Sequence, residues 1–379
     1  MRNPLRFCAG LSWLPALLVV AGCVPIEVSV SPDGTVLIPR QEGFVAFDPA
    51  KGTGQVAWRP GSGQPAFAVF APDGKRFLAV TKGGEAASAS GMGTGFGVTL
   101  VGPGDKARNL LGASNITYAR WSGDGKYVSL TRVADAAKPP LEENLPELVR
   151  VRTADGKRQT VASNVGPIHC WFPDGRHILA FQITAKGEED GTYAGALVRL
   201  DAATGKAAPL ATTLGGKKVF IDLSPDGTKA LFTAMAATHA GGKAPAKAGD
   251  EPHLFELDVA SGAVRAVKAG VAFAVYSPKG TRVLVGMPSD DDDGDLALAV
   301  GDAALANLRT VATNAAGKTG GMGDSADIYP TWLDDDTVLY LAWHHVYGTV
   351  GKNLHLVAVG ADGTNRRDLQ GTVDAALVE

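Results

Sequence analysis

Apolar residues along this chain alternate with polar ones at strand-like spacing, between tight turns of nearly constant composition. The clearest copy is Ser224-Pro225-Asp226-Gly227, set between Phe220-Ile221-Asp222-Leu223 and Ala230-Leu231-Phe232. Variants begin at Ser31, Ala71, Ser122, Phe172 and Ser277, and Leu333-Asp334-Asp335-Asp336 is a degenerate last copy. Pro presets φ for a tight corner, Asp caps the turn through its side chain, and Gly accepts positive φ. Each copy therefore predicts a β-hairpin. A bulky residue stands just before each turn: Val30, Phe70, Trp121, Trp171, Leu223, Tyr276, Trp332. One anchor per copy is what a repeated core requires, because each unit must bury its face against the next.

The turns recur at intervals of roughly 40 to 56 residues, a propeller-blade period rather than that of most helical solenoids. A second hairpin of constant style lies between them, as in Leu197-Val198-Arg199-Leu200-Asp201 before Thr204-Gly205, and Leu254-Phe255-Glu256-Leu257-Asp258 before Ser261-Gly262. Each unit thus supplies four strands, A to D. The expected fold is all-β, a β-propeller of seven four-stranded blades. Six blades stay open because the first and last copies are weak, and no borrowed strand marks how the ring closes, although Val373 to Val378 offers one.

The apolar-x-Pro-Asp-Gly hairpin followed by a Leu-x-x-Asp-x-x-x-Gly hairpin resembles the TolB-type, WD40-like Pro-Asp repeat family of bacterial propellers. The blades also resemble the propeller domains of prolyl oligopeptidase-type peptidases. The resemblance runs from about Ile26 to Leu369 and implies fold more than function. The α/β domain that precedes the propeller in TolB has no counterpart in the few residues before Ile26. A peptidase is not expected either, since no Gly-x-Ser-x-Gly elbow or strand–helix alternation appears.

The N-terminus changes the picture. Arg2 and Arg6 precede a short apolar run ending in Val20-Ala21-Gly22-Cys23, which reads as a secretory signal over 1–22. It resembles a bacterial lipobox, which implies that Cys23 carries the lipid. Residues 23–25 would then form the tether and 26–379 the propeller, with the protein lipid-anchored in the cell envelope and facing periplasm or surface. Val24 rather than Asp after the Cys points to the outer membrane by the same resemblance. Cys170 is the only other cysteine past the signal, so no internal disulfide is expected. A net charge of −3 without a basic, aromatic-interleaved stripe argues against nucleic acid as partner.

Chain insertions fall between strands B and C: Gly83 to Gly95, Ala134 to Glu147, Lys186 to Thr192, Met235 to Pro252, Pro288 to Asp295, Trp343 to Lys352. The Gly-rich crossing from Thr313 to Asp327 opens on the same face. Binding tends to sit on loops carried by a rigid scaffold, so this face is the expected working face, with Asp291, Asp293, Asp327, His344 and His345 as candidates. The Asp290–Asp295 run has a partial calcium-loop spacing, but Val300 stands where the closing Glu belongs. The seven histidines lack zinc-site spacing, and no metal or cofactor is expected. Arg120, His169 and Asp222 fall on inner strands near the axis, where a lactonase- or lyase-like propeller enzyme would keep its catalytic groups. Their default reading is to satisfy backbone groups across blades. The sequence favours a non-catalytic module binding an envelope protein or polymer, with the axial enzyme as the alternative.

Overall fold

The computed structural model describes residues 28–83, 95–104, 106–133, 145–186, 192–216, 219–242, 252–288, 296–313, 328–343 and 354–369. These residues form antiparallel strands and contain no helix. Seven blades of four strands close into a propeller, which settles the choice between six and seven. Blade 1 runs from Ser29–Val30 to Thr53–Trp58, and blade 2 from Gln64–Phe70 into Ala107–Trp121. Blade 3 begins in the second half of that same strand and ends at Arg158–Ala162. Blade 4 spans Val165–Trp171 to Ala207–Gly216, blade 5 Ile221–Leu223 to Val264–Ala269. Blade 6 spans Phe273–Tyr276 to Arg309–Thr313, and blade 7 Ile328–Trp332 to Arg367–Asp368.

The apolar core is divided as the repeat demands. Seven buried clusters occupy the seven seams between neighbouring blades. At the seam of blades 4 and 5, Phe181 and Phe232 are wholly buried, each stabilising the ring by about 1.5–3 kcal/mol. Blade 7 meets blade 1 through Leu339, Leu356, Ala358 and Leu369 against Val28, Val36, Ile38 and Phe47. Among the described residues the ring thus closes by side-chain packing, with no strand exchanged between the first and last blades. The segment Val373 to Val378 lies outside them, as do residues 1–27.

The Pro-Asp-Gly turns behave as their chemistry requires. Ser224 Oγ donates to Asp226 Oδ1 at 2.7 Å, while Asp226 Oδ1 accepts the Thr228 N–H at 3.0 Å. The Gly227 N–H returns to the Ser224 carbonyl at 2.8 Å, with Gly227 at φ +72°. A Cβ there would meet Pro173 Cδ of the preceding turn at 2.8 Å, and one at Gly280 would meet Pro225 Cδ at 2.9 Å. Neighbouring turns therefore interlock, and only glycine fits both the backbone and the contact. Asp334 to Asp336 do form the seventh turn: Asp334 Oδ1 accepts the Asp336 N–H, and Asp335 Oδ1 accepts the Lys279 N–H of blade 6.

One expectation needs correction. The Met235 to Pro252 segment does not simply separate strands B and C of blade 5. Ala236–His239 pairs antiparallel with the outer strand of blade 4, making that sheet five-stranded. Blades 2 and 3 are joined without a crossing loop, because Ala107–Trp121 is one continuous strand that merges them into a seven-stranded sheet.

Candidate functional site

Two of the three channel-side candidates share one structural address. Arg120 and Asp222 stand two residues ahead of their turns, the position held by Ser29, Val69, Cys170, Val275 and Thr331 in the other blades, whereas His169 stands three ahead of its turn. Strand A places the seven two-ahead residues at one level of the inner ring. From here Ser29, Cys170 and Asp222 bond to the next blade. Ser29 Oγ accepts the Phe70 N–H at 2.8 Å, and Asp222 Oδ2 accepts the equivalent Tyr276 N–H at 2.8 Å. Cys170 Sγ donates to the Ile221 carbonyl at 3.3 Å and lies 4.0 Å from Asp222 Oδ1. Of the three candidates, Asp222 satisfies a backbone group across blades in this way, and Cys170 is buried.

The tryptophan anchors work in the opposite direction. Trp121 Nε1 donates to the Val69 carbonyl at 3.0 Å, and Trp332 Nε1 to the Val275 carbonyl at 3.1 Å. Trp171 Nε1 instead donates to Ser129 Oγ at 2.8 Å, and Ser129 Oγ donates onward to the Arg120 carbonyl at 3.3 Å. A relay has been inserted into the standard contact. His169 completes it, with Nε2 2.6 Å from Ser129 Oγ. A hydroxyl has one proton and two lone pairs, so Ser129 can meet Trp171, His169 and the Arg120 carbonyl together, accepting from the indole N–H. His169 Nδ1 is left without a hydrogen-bond partner among the described residues.

Electrostatics follows from this burial. His169 is fully buried, and desolvation, helped by the Arg120 charge, lowers its pKa to about 3. It is a neutral imidazole at physiological pH. Its close pairing with Ser129 has the distance of a nucleophile and base, but both side chains are wholly buried and Trp171 occupies the hydroxyl. Asp222 is enclosed by protein yet keeps some exposure. Desolvation raises its pKa to about 6, against the Tyr276 N–H and the Arg120 charge, which favour the carboxylate. The Arg120 guanidinium lies 4.3 Å from the Tyr118 ring centroid, and Tyr118 packs edge-on against His169. Arg120, His169 and Asp222 are thus brought into one electrostatically linked group, with Asp222 as its titratable member near neutral pH.

Sequence reasoning missed Ser129 and Trp171 as partners of His169. Ser129 is on strand B and carries no motif, so only register reveals it. Cys23, Asp291, Asp293, Asp327, His344 and His345 lie outside the described residues, together with the Asp290–Asp295 run. Among the described residues, no group of three or more His, Cys, Asp or Glu side chains is arranged to hold a metal ion.

No protein-family model matches the chain, and no curated protein sequence matches it. Solved structures do. An oligogalacturonate lyase from Vibrio parahaemolyticus aligns with TM-score 0.60 and 10% identity over 88% of each chain. The Dos1 propeller aligns with TM-score 0.51 and 10% identity, over 91% of this chain and 83% of its own. TolB from Acinetobacter baumannii aligns with TM-score 0.49 and 14% identity, over 88% of this chain and 78% of its own. At these identities the likeness is one of fold: the chain is a seven-bladed β-propeller with TolB proteins among its structural neighbours.

Proposed function

We propose that this protein is a lipid-anchored, non-catalytic binding module of the bacterial cell envelope, recognising an envelope protein or polymer. The observation that supports this most is the contrast between the two faces of the ring. The A–B and C–D turns are uniformly short, and A–B turns of neighbouring blades interlock at Gly74, Gly227 and Gly280. The B–C connections range from the tight Arg40–Gly43 turn to the long stretch between Ala234 and His253. A rigid disc with variation confined to one face is the arrangement of a display scaffold. The axial polar groups support the same reading, since His169 and Asp222 are engaged in bonds between blades.

Strand A of blade 1 enters from the variable face and runs toward its turn. From Cys23 to Val28 the chain spans at most about 18 Å. An acyl group on Cys23 would therefore hold the variable face toward the bilayer, and the partner would be met at the membrane surface. Several acyl chains on one residue give the firm anchorage such a role needs.

Crosslinking in intact cells, followed by recovery and mass spectrometry, tests the reading, with Cys23→Ala as control. One abundant envelope partner, lost in the control, is the expected result. Absence of both an enriched protein and a co-recovered envelope polymer would overturn it. One observation favours the alternative of an axial enzyme: a carboxyl near pKa 6 is suited to proton transfer. That reading requires Asp222→Asn to abolish a measurable activity while leaving the fold intact.

A further inference from the structure

The regular face carries a feature that the proposed display role does not use. Where strands C and D of blade 3 meet, Tyr127, Arg150, Arg152, Lys157, Arg158 and Gln159 line a cleft of about 130 Å³. Register explains the convergence. Tyr127 pairs with Arg152, and Arg150 pairs with both Ser129 and Gln159, so these side chains share the face turned to blade 4. Arg150 stacks 4.5 Å from the Tyr127 ring centroid and donates to Gln159 Oε1 at 2.7 Å. Gln159 is itself fixed, because its Nε2 donates to the Ala203 carbonyl of blade 4 at 2.7 Å. Two contacts thus hold the guanidinium plane before any ligand arrives, and preorganisation of this kind reduces the entropy lost on binding.

The charge is not balanced. Asp155 pairs with Arg152 through both carboxylate oxygens. Arg150 and Lys157 have no carboxylate partner among the described residues, and Arg158 donates to the neutral Leu110 carbonyl. Arg150 and Lys157 are therefore uncompensated cations at one cleft, with Arg158, whose register turns it toward blade 2, at its edge, in a chain whose net charge is −3. Its volume equals about four waters, enough for one compact tetrahedral oxyanion.

We infer that this cleft binds a phosphoryl group, free or carried on a soluble molecule. A planar guanidinium fork matches phosphate oxygens in pairs. A dianion gains about twice the Coulomb energy of a carboxylate in the same field, so phosphate is favoured over a monoanionic acid. The site lies on the face opposite the variable loops and does not depend on lipidation of Cys23.

Calorimetric titration of the full chain with pyrophosphate tests it, with inorganic phosphate and acetate as parallel ligands. One saturable site is expected, at least tenfold weaker for acetate and weaker as salt rises. Arg150→Gln should reduce affinity at least tenfold, and Arg150→Lys, which keeps charge without the fork, should fall between. Arg265→Gln, which removes an exposed cation on blade 5, should leave binding unchanged, and thermal unfolding of each variant confirms that it is folded. Equal losses from Arg150→Gln and Arg265→Gln, or no saturable binding, would overturn the assignment. So would binding only to vesicles of anionic phospholipid.

Discussion

The seam between blades 3 and 4 and the seam between blades 5 and 6 each enclose one titratable side chain of the inner ring, and their protons respond to burial in opposite senses. His169 is fully buried near the Arg120 charge and is held far below the usual imidazole range, at about 3. The folded protein keeps it neutral while the unfolded chain takes up a proton below pH 6.5. Its contribution to stability is complete above that pH and is lost as pH falls toward 3, on the order of 4 kcal/mol in all. Asp222 is raised from 3.8 to about 6. The folded protein retains that proton where the unfolded chain has released it. Its contribution is complete below pH 3.8 and is lost as pH rises through 6, on the order of 3 kcal/mol. Between about pH 4 and 6 the two effects oppose each other. A nearly flat stability profile there would hide two large terms.

Substitution separates them. The largest effect is expected from His169→Gln: urea midpoints between pH 7 and 3 should lose about 4 kcal/mol of acid sensitivity relative to the parent. A variant with unchanged acid sensitivity would show that His169 is not the group responsible. Asp222→Asn keeps an oxygen for the Tyr276 N–H and removes the buried charge. It should stabilise the fold by up to about 3 kcal/mol at pH 7 and by little at pH 4. A difference independent of pH would break the comparison. Trp171→Phe removes the indole donor to Ser129 and should cost about 1–2 kcal/mol, measured at pH 7. Ser29 sharpens the contrast, because it makes the same bond as Asp222 with a group that does not titrate in this range. Ser29→Ala should cost about 1 kcal/mol, equally at pH 4 and pH 7.

Most of the fold was legible because the blade is a local unit. Pro-Asp-Gly turns and the anchor before each are written within six residues, so even Asp334 to Asp336 could be recognised by position. Inner-strand placement of Arg120, His169 and Asp222 followed from the same count. What failed to show was non-local. The Ser129–His169–Trp171 relay joins residues forty positions apart in the chain through strand register across a seam. The continuous strand Ala107–Trp121 hides a blade boundary, because Gly112-Ala113-Ser114-Asn115 has the composition of a turn yet stays extended. Ala236–His239 pairs with blade 4 rather than with its own blade, and its composition of Ala, Thr and His gave no strand signal strong enough to reveal this. Arg150 and Gln159 face one cleft only because two strands pair in a particular register.

The seam between blades 7 and 1 bears on how this ring could be re-cut. Val28 and Leu369, near the two ends of the described chain, are buried in the same cluster. Val28 and Leu369 are therefore neighbours, and among the described residues no strand passes between the first and last blades. A short linker from one to the other would let new termini open elsewhere, at a crossing such as that between blades 4 and 5, while every blade keeps its four strands. Circular permutants of this propeller should fold, and the position of the opening becomes a free variable for an engineer who wants to tether the ring by another edge.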